Sequence, residues 1–284
     1  MWMKNNGRHD IIMNKLMSRN MNTKQNKENT MSILKEATEL YNGLRKLQNM
    51  TEAFENWKVY REKVSQYILQ NTQQGTTIAI VGAGRCNDID LTLFSKHFSE
   101  MSLIDIDDMG MRDAIKKYDI DATCKVDIVV RDFVGIQDKD YIEFANIMCK
   151  DMKKYKSFFS PMVTGPKMIE KLNEVYSKIS EYELDLGEKN YDYVVVLGVH
   201  SQLNSMFEWM WRSMISALGK NDFTVRERVS QENLNIINKF DATVYKMARR
   251  GLFIGCEREI IGIPMPFPAA QAAWSVQTPV PPVL

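Results

Sequence analysis

Three short stretches of this chain carry residues able to do chemistry. In the first, the β-branched run Thr77-Ile78-Ala79-Ile80-Val81 stops at Gly82-Ala83-Gly84. An amphipathic pattern follows, with Leu91, Leu93, Phe94 and Phe98 on its apolar face. About twenty residues beyond the turn a second short run, Met101-Ser102-Leu103-Ile104, ends in Asp105. Glycines let a backbone approach a ligand closely, and a carboxylate accepts hydrogen bonds from two adjacent ribose hydroxyls. Strand, glycine turn, helix, strand and acid together make a nucleoside-binding half-site.

The charges beside the turn bear on which nucleoside. A dinucleotide site sets a pyrophosphate on the helix N-terminus, where free N–H groups and the dipole favour anions. Here the helix opens with Asp88 and Asp90, and Asn87 stands where the dinucleotide fingerprint has its third glycine. Acids suit a ligand with a cationic end and no phosphate. At this point the chain resembles the class I S-adenosylmethionine-dependent methyltransferases, whose first motif is a strand and a glycine-rich turn. Cys86 replaces the glycine that family usually has two positions after the second.

The resemblance implies a role for each neighbouring residue. Val81, Gly82, Ala83 and Gly84 would line the methionine part of S-adenosylmethionine, and Asp88 would balance its ammonium; a helix cap is the alternative for Asp88. Asp105 would hold the ribose, with Asp107 as competitor or as a solvated loop acid. Ile106 and Asp107 would lie near the adenine edge. Asp132 would accept from the exocyclic amine and Phe133 would pack on the ring; an ordinary loop with a buried Phe is the alternative. After the fourth strand, Gly198-Val199-His200-Ser201-Gln202 would face the cavity. Gly198 would touch the cofactor, and Ser201 and Gln202 the acceptor. His200 would take a proton from the acceptor or orient it, or else serve as a wall or helix-start residue. The Asn/Asp-Pro-Pro-aromatic motif of nucleic-acid amino-methylating enzymes does not occur at this position, which argues for a small-molecule acceptor and against nucleic acid.

These residues need a scaffold, and the hydrophobic pattern supplies one. Strands are expected at about 77–81, 101–105, 126–130, 193–198 and 251–256, alternating with helices. That order predicts an α/β fold: a doubly wound, mostly parallel, Rossmann-like sheet with right-handed crossovers. Residues 1–30 read as a mobile arm. Residues 31–72 read as two helices, one on Ile33, Leu34, Ala37, Leu40, Tyr41 and Leu44, the other on Phe54, Trp57, Val64, Tyr67 and Ile68. The cofactor domain would span 73–263, with a helical insertion at about 136–190 that covers the site or packs as scaffold. Pro166 is expected to open the second helix of that insertion. Pro264, Pro266, Pro268, Pro279, Pro281 and Pro282 predict a tail over 264–284 without regular helix or central strand, and no strand hairpin after strand five.

With 284 residues, 44% hydrophobic, 26% charged and a net charge of +1, the chain has an ordinary soluble composition and no global field for nucleic acid or membrane. No signal-peptide pattern or spanning apolar run stands out, so a cytoplasmic location is expected. Cys86, Cys124, Cys149 and Cys256 are scattered, and with His9, His97 and His200 they make no metal-ligand spacing, so no metal is expected. Methyl transfer from S-adenosylmethionine to a small or medium-sized acceptor is the leading expectation. A non-catalytic cofactor-binding or partner subunit, a nicotinamide oxidoreductase and an aminopropyltransferase are the alternatives.

Overall fold

The structure, a computed structural model, describes residues 26–48, 52–155, 159–256, 259–264 and 274–276. Most of the expected N-terminal arm and proline-rich tail therefore lies outside the described residues. The chain divides into two compact units. One comprises Thr51–Phe133, Glu183–Leu203 and Ile237–Leu284; the other comprises Met1–Met50, Val134–Tyr182 and Asn204–Ile236.

The first unit holds the sheet. Helices α2 (Ala53–Asn56) and α3 (Lys58–Gln70) lead into β1 (Thr77–Val81), α4 (Leu91–His97), β2 (Glu100–Asp105), α5 (Asp108–Lys117) and β3 (Lys125–Val130). Later segments add β4 (Tyr191–Leu197), β5 (Ala248–Cys256), β6 (Glu259–Pro264) and β7 (Trp274–Val276). The sheet order is β3-β2-β1-β4-β5-β6-β7, and the first five strands are parallel, as the strand–helix alternation predicts. Strand order reverses between β1 and β4, where open α/β sheets place ligands at the carboxyl ends. Ile78, Ile80, Met101, Leu103, Val195 and Phe253 share one core cluster with Val64 and Ile68 of α3, Phe94 of α4 and Met111 of α5. Each fully buried aliphatic or aromatic side chain stabilises the fold by roughly 1.5–3 kcal/mol. On the other face Ala79, Val81, Ile104, Val194 and Val196 are also fully buried, so β4 reads as a continuous apolar run rather than an alternation.

The sheet continues past strand five, contrary to the sequence expectation. Strand β6 pairs antiparallel with β5, and β7 pairs antiparallel with β6. Pro264 is tolerated because it ends β6, beyond the three residues Ile260, Ile261 and Gly262 that pair with β7.

The second unit is helical. It contains α1 (Asn26–Gln48), α6 (Asp138–Tyr155), α7 (Pro161–Ser180), α8 (Met206–Ala217) and the first part of α9 (Thr224–Met247). Ala37, Leu40, Tyr41 and Leu44 are the buried stripe of α1, whereas Leu34, one turn earlier, is 49% exposed. Tyr41 stacks on Tyr141 at 5.4 Å, and its hydroxyl donates to Asp138 at 2.7 Å. Phe207 of α8 meets Tyr141 and Phe144 at 4.6 and 4.9 Å. Pro161, rather than Pro166, opens α7. Pro166 lies in the second turn, where the bond it forfeits is to the carbonyl of Met162, an 87% exposed residue. Among the described residues, no helix is long and apolar enough to cross a membrane.

Candidate functional site

The turn after β1 is set by three residues with positive φ: Gly82 at 78°, Gly84 at 46° and Cys86 at 48°. The N–H groups of Gly82 and Ala83 donate to the Ile104 carbonyl at 2.8 and 3.2 Å, anchoring the turn to β2. The two glycines do different work. A Cβ at residue 82 would overlap the Val199 side chain, so that glycine makes room for the protein itself. At residue 84 a Cβ would meet nothing nearer than Asp105 Oδ2 at 3.9 Å, so Gly84 is where a ligand can reach the backbone. Cys86 keeps the left-handed conformation that a third glycine would adopt, and its thiol is buried against the core.

The rest of the loop is held from outside the motif. Arg61 is buried and donates to the carbonyls of Phe54 and Asn87 at 2.7 and 3.0 Å. The Tyr118 hydroxyl lies 2.8 Å from the carbonyls of both Cys86 and Ile89. Ser65 Oγ accepts from the Asp90 N–H at 2.8 Å. Helix α4 begins at Leu91, the first apolar position of its pattern and past Asp88, where the sequence reading opens it; Asp90 is its cap, accepting from Thr92 and Leu93 at 3.0 and 3.2 Å. Asp88 is thus not the helix cap. Burial pushes its carboxyl up to about 6 against the opposing pull of its own backbone N–H and, less strongly, of Arg61, which marks an acid with incomplete charge compensation.

At the end of β2 both oxygens of Asp105 accept backbone N–H bonds, Oδ2 from Gly84 at 3.0 Å and Oδ1 from Asp107 at 2.9 Å. Burial raises the Asp105 carboxyl, while the N–H donors from Asp107 and Gly84 pull it back. Asp107 caps α5 through Gly110 N–H at 2.9 Å, a role that neither sequence reading of it contains. Ile106 stands 60% exposed beside the half-buried Asp105, with Met109 in the first turn of α5 and Val130 at the end of β3 also exposed.

No protein-family model matches this chain, and no curated protein sequence matches it.

The residues after β3 and β4 complete it. Phe133 is half-buried, with its ring 5.4 Å from that of Phe240 on α9. Asp132, beside it, is also half-buried. Gly198, with φ 65°, turns the chain out of β4, and its carbonyl accepts from Gln202 Nε2 at 3.0 Å. Ser201 and Gln202 are exposed. His200 Nε2 lies 2.7 Å from Asp241 Oδ1, and Phe240 meets the imidazole edge-on at 5.8 Å. All these residues belong to the sheet unit.

The sequence reading missed Arg61, Ser65, Tyr118, Phe240 and Asp241 as parts of the site, and it held Val199 in the loop after strand four without its packing against residue 82. The first three lie on an N-terminal helix or beyond α5, and nothing local ties them to the turn. Asp241 had a faint signal: it follows Phe240, an inward position on a helix that returns to the sheet. Among the described residues no group of three acidic, His or Cys side chains gathers to hold a metal.

Proposed function

We propose that this protein transfers a methyl group from S-adenosylmethionine to a small or medium-sized acceptor. One observation carries the reading. Asp90 fills the N-terminus of α4, so the N–H groups that would hold a pyrophosphate already have a partner, while Asp105 and Gly84 are linked at the adjoining strand ends. A nucleoside without phosphate suits that arrangement, and a dinucleotide does not.

The residues present fit the cofactor. Each Asp105 oxygen accepts one N–H bond and retains a lone pair for a ribose hydroxyl. Exposed Ile106 offers an apolar edge for adenine, with Asp132 and Phe133 on the neighbouring loop. Gly84 admits the methionine portion, and Asp88 supplies negative charge for its ammonium. When bound, the cofactor supplies a methyl group on a positively charged sulfur, open to in-line displacement. The protein's part is chiefly positioning, which can lower such a barrier by roughly 7–11 kcal/mol. His200, in the loop after β4, is the candidate to take the acceptor's proton, a contribution of about a hundredfold to ten-thousandfold.

Isothermal titration with S-adenosylmethionine tests the proposal. Binding that disappears in Asp105→Ala supports it; absence of binding by the native protein, or reduced-nicotinamide binding instead, overturns it.

A further inference from the structure

The 2.7 Å contact between His200 and Asp241 selects which imidazole nitrogen can act. A carboxylate only accepts hydrogen bonds, so the nitrogen facing it carries the hydrogen. We propose that Asp241 is a positioning residue that commits His200 to the Nε2–H tautomer and leaves the Nδ1 lone pair to take a proton from the methyl acceptor.

The surroundings favour a fixed ring. Phe240, fully buried, precedes Asp241 on α9 and packs edge-on against the imidazole. The same Phe240 ring contacts Phe133 on the loop after β3, so one aromatic residue braces both the imidazole and the expected adenine wall. The His200 side chain is 15% exposed and Asp241 38%, so the pair is sheltered yet reachable.

The inference rests on the methyl-transfer reading and narrows it to acceptors that lose a proton. The acceptor's O–H or N–H gives its proton to Nδ1. The electron pair released on the heteroatom forms the bond to the methyl carbon. The carbon–sulfur bond breaks and its pair passes to sulfur, leaving neutral S-adenosylhomocysteine, methylated acceptor and a protonated His200. Asp241 then faces an imidazolium, whose charge it offsets.

Nitrogen-15 NMR of the full chain tests this, since the sequence has three histidines, His9, His97 and His200. The spectra are recorded in mildly alkaline buffer, and neutral imidazole tautomers differ in which ring nitrogen carries the hydrogen. The expected native spectrum shows a low-field, slowly exchanging His200 Nε2–H proton and an unprotonated Nδ1. A charge-assisted bond worth roughly tenfold in equilibrium holds the other tautomer to about a tenth or less. Asp241→Ala should abolish the low-field proton and raise that minor tautomer several-fold; Asp241→Glu should restore the native pattern. A His200 proton absent from the native spectrum, or unchanged in Asp241→Ala, overturns the pairing. Adding S-adenosylmethionine to the same sample separates the two ideas. If the Gly84 and Asp105 amides do not shift, the methyl-transfer reading and the proton-accepting role fall, whatever the His200 signals show.

Discussion

Val199, the second residue after β4, occupies the space that a side chain on residue 82 would need. The glycine turn after β1 and the loop after β4 therefore form one packed corner at the point where strand order reverses. Gly82→Ala should destabilise the protein by about 2–4 kcal/mol, combining the overlap with the cost of a positive φ. Adding Val199→Ala should recover the overlap part, about 1–2 kcal/mol, and leave the backbone part. Urea denaturation of the two single variants and the double variant measures this; strictly additive losses would refute the contact.

Asp105 joins the glycine turn to β2, and its oxygens are the proposed ribose acceptors. Losing two hydrogen bonds to a charged group should weaken S-adenosylmethionine binding about a hundredfold or more in Asp105→Ala. Titration calorimetry would show it. Binding within about threefold of native would remove this residue from the ribose role.

Asp88 trades stability for charge. Its carboxyl titrates near 6 in the folded protein, above its ordinary 3.8. The folded state thus holds that proton more tightly than the unfolded state, so stability from this group falls as pH rises from about 4 to 6 and stays reduced above 6. Asp88→Asn should raise stability at pH 7 by up to about 2 kcal/mol, after allowing for partial exposure, and leave it nearly unchanged at pH 3.5. The same variant should weaken binding of the proposed cationic cofactor and remove the loss of affinity expected of the native protein below pH 6. Thermal melts at the two pH values, with titrations alongside, give both readings.

Cys86 combines a buried thiol with a left-handed backbone. Burial pushes the pKa of the thiol up, and so do the negative charges of Asp88 and Asp105 nearby, so the reactive thiolate is suppressed. Iodoacetamide at pH 8 should leave Cys86 unmodified in the folded protein and label it in urea, as peptide mass spectrometry would show. Cys86→Val should cost about 2–4 kcal/mol, because a β-branched side chain suits neither that φ nor the space.

Tyr118 braces the loop through the carbonyls of Cys86 and Ile89. Tyr118→Phe should destabilise by about 1–2 kcal/mol, since it leaves part-buried acceptors unmatched. Hydrogen exchange should quicken at residues 86–90 and stay native in β4.

Much of the sheet was legible because its signal is local. β1 begins and ends where the Thr77–Val81 run does, and β2 ends on Asp105, since a buried parallel strand must be apolar until it turns. Boundaries decided by hydrogen bonds were not legible. The Asp88–Asp90 stretch contains two candidate caps, and the Ser65 hydroxyl, from a distant helix, holds the Asp90 N–H while Asp90 caps α4. Pro161 and Pro166 both suit a helix start by composition; the exposed turn at Met162 decides between them. The strands after β5 escaped because prolines veto central strands, yet Pro264 ends a strand.

From its linear pattern alone this chain specified alternating strands and helices, a glycine bend and an acid one strand away, because apolar periodicity and backbone freedom act over a few residues. Tertiary packing decided that Gly82 yields to Val199 while Gly84 stays open, that Asp88 is left under-compensated, and that His200 finds Asp241. Those outcomes depend on contacts between segments tens to more than a hundred residues apart, where burial and partner geometry, not local preference, set what a side chain does.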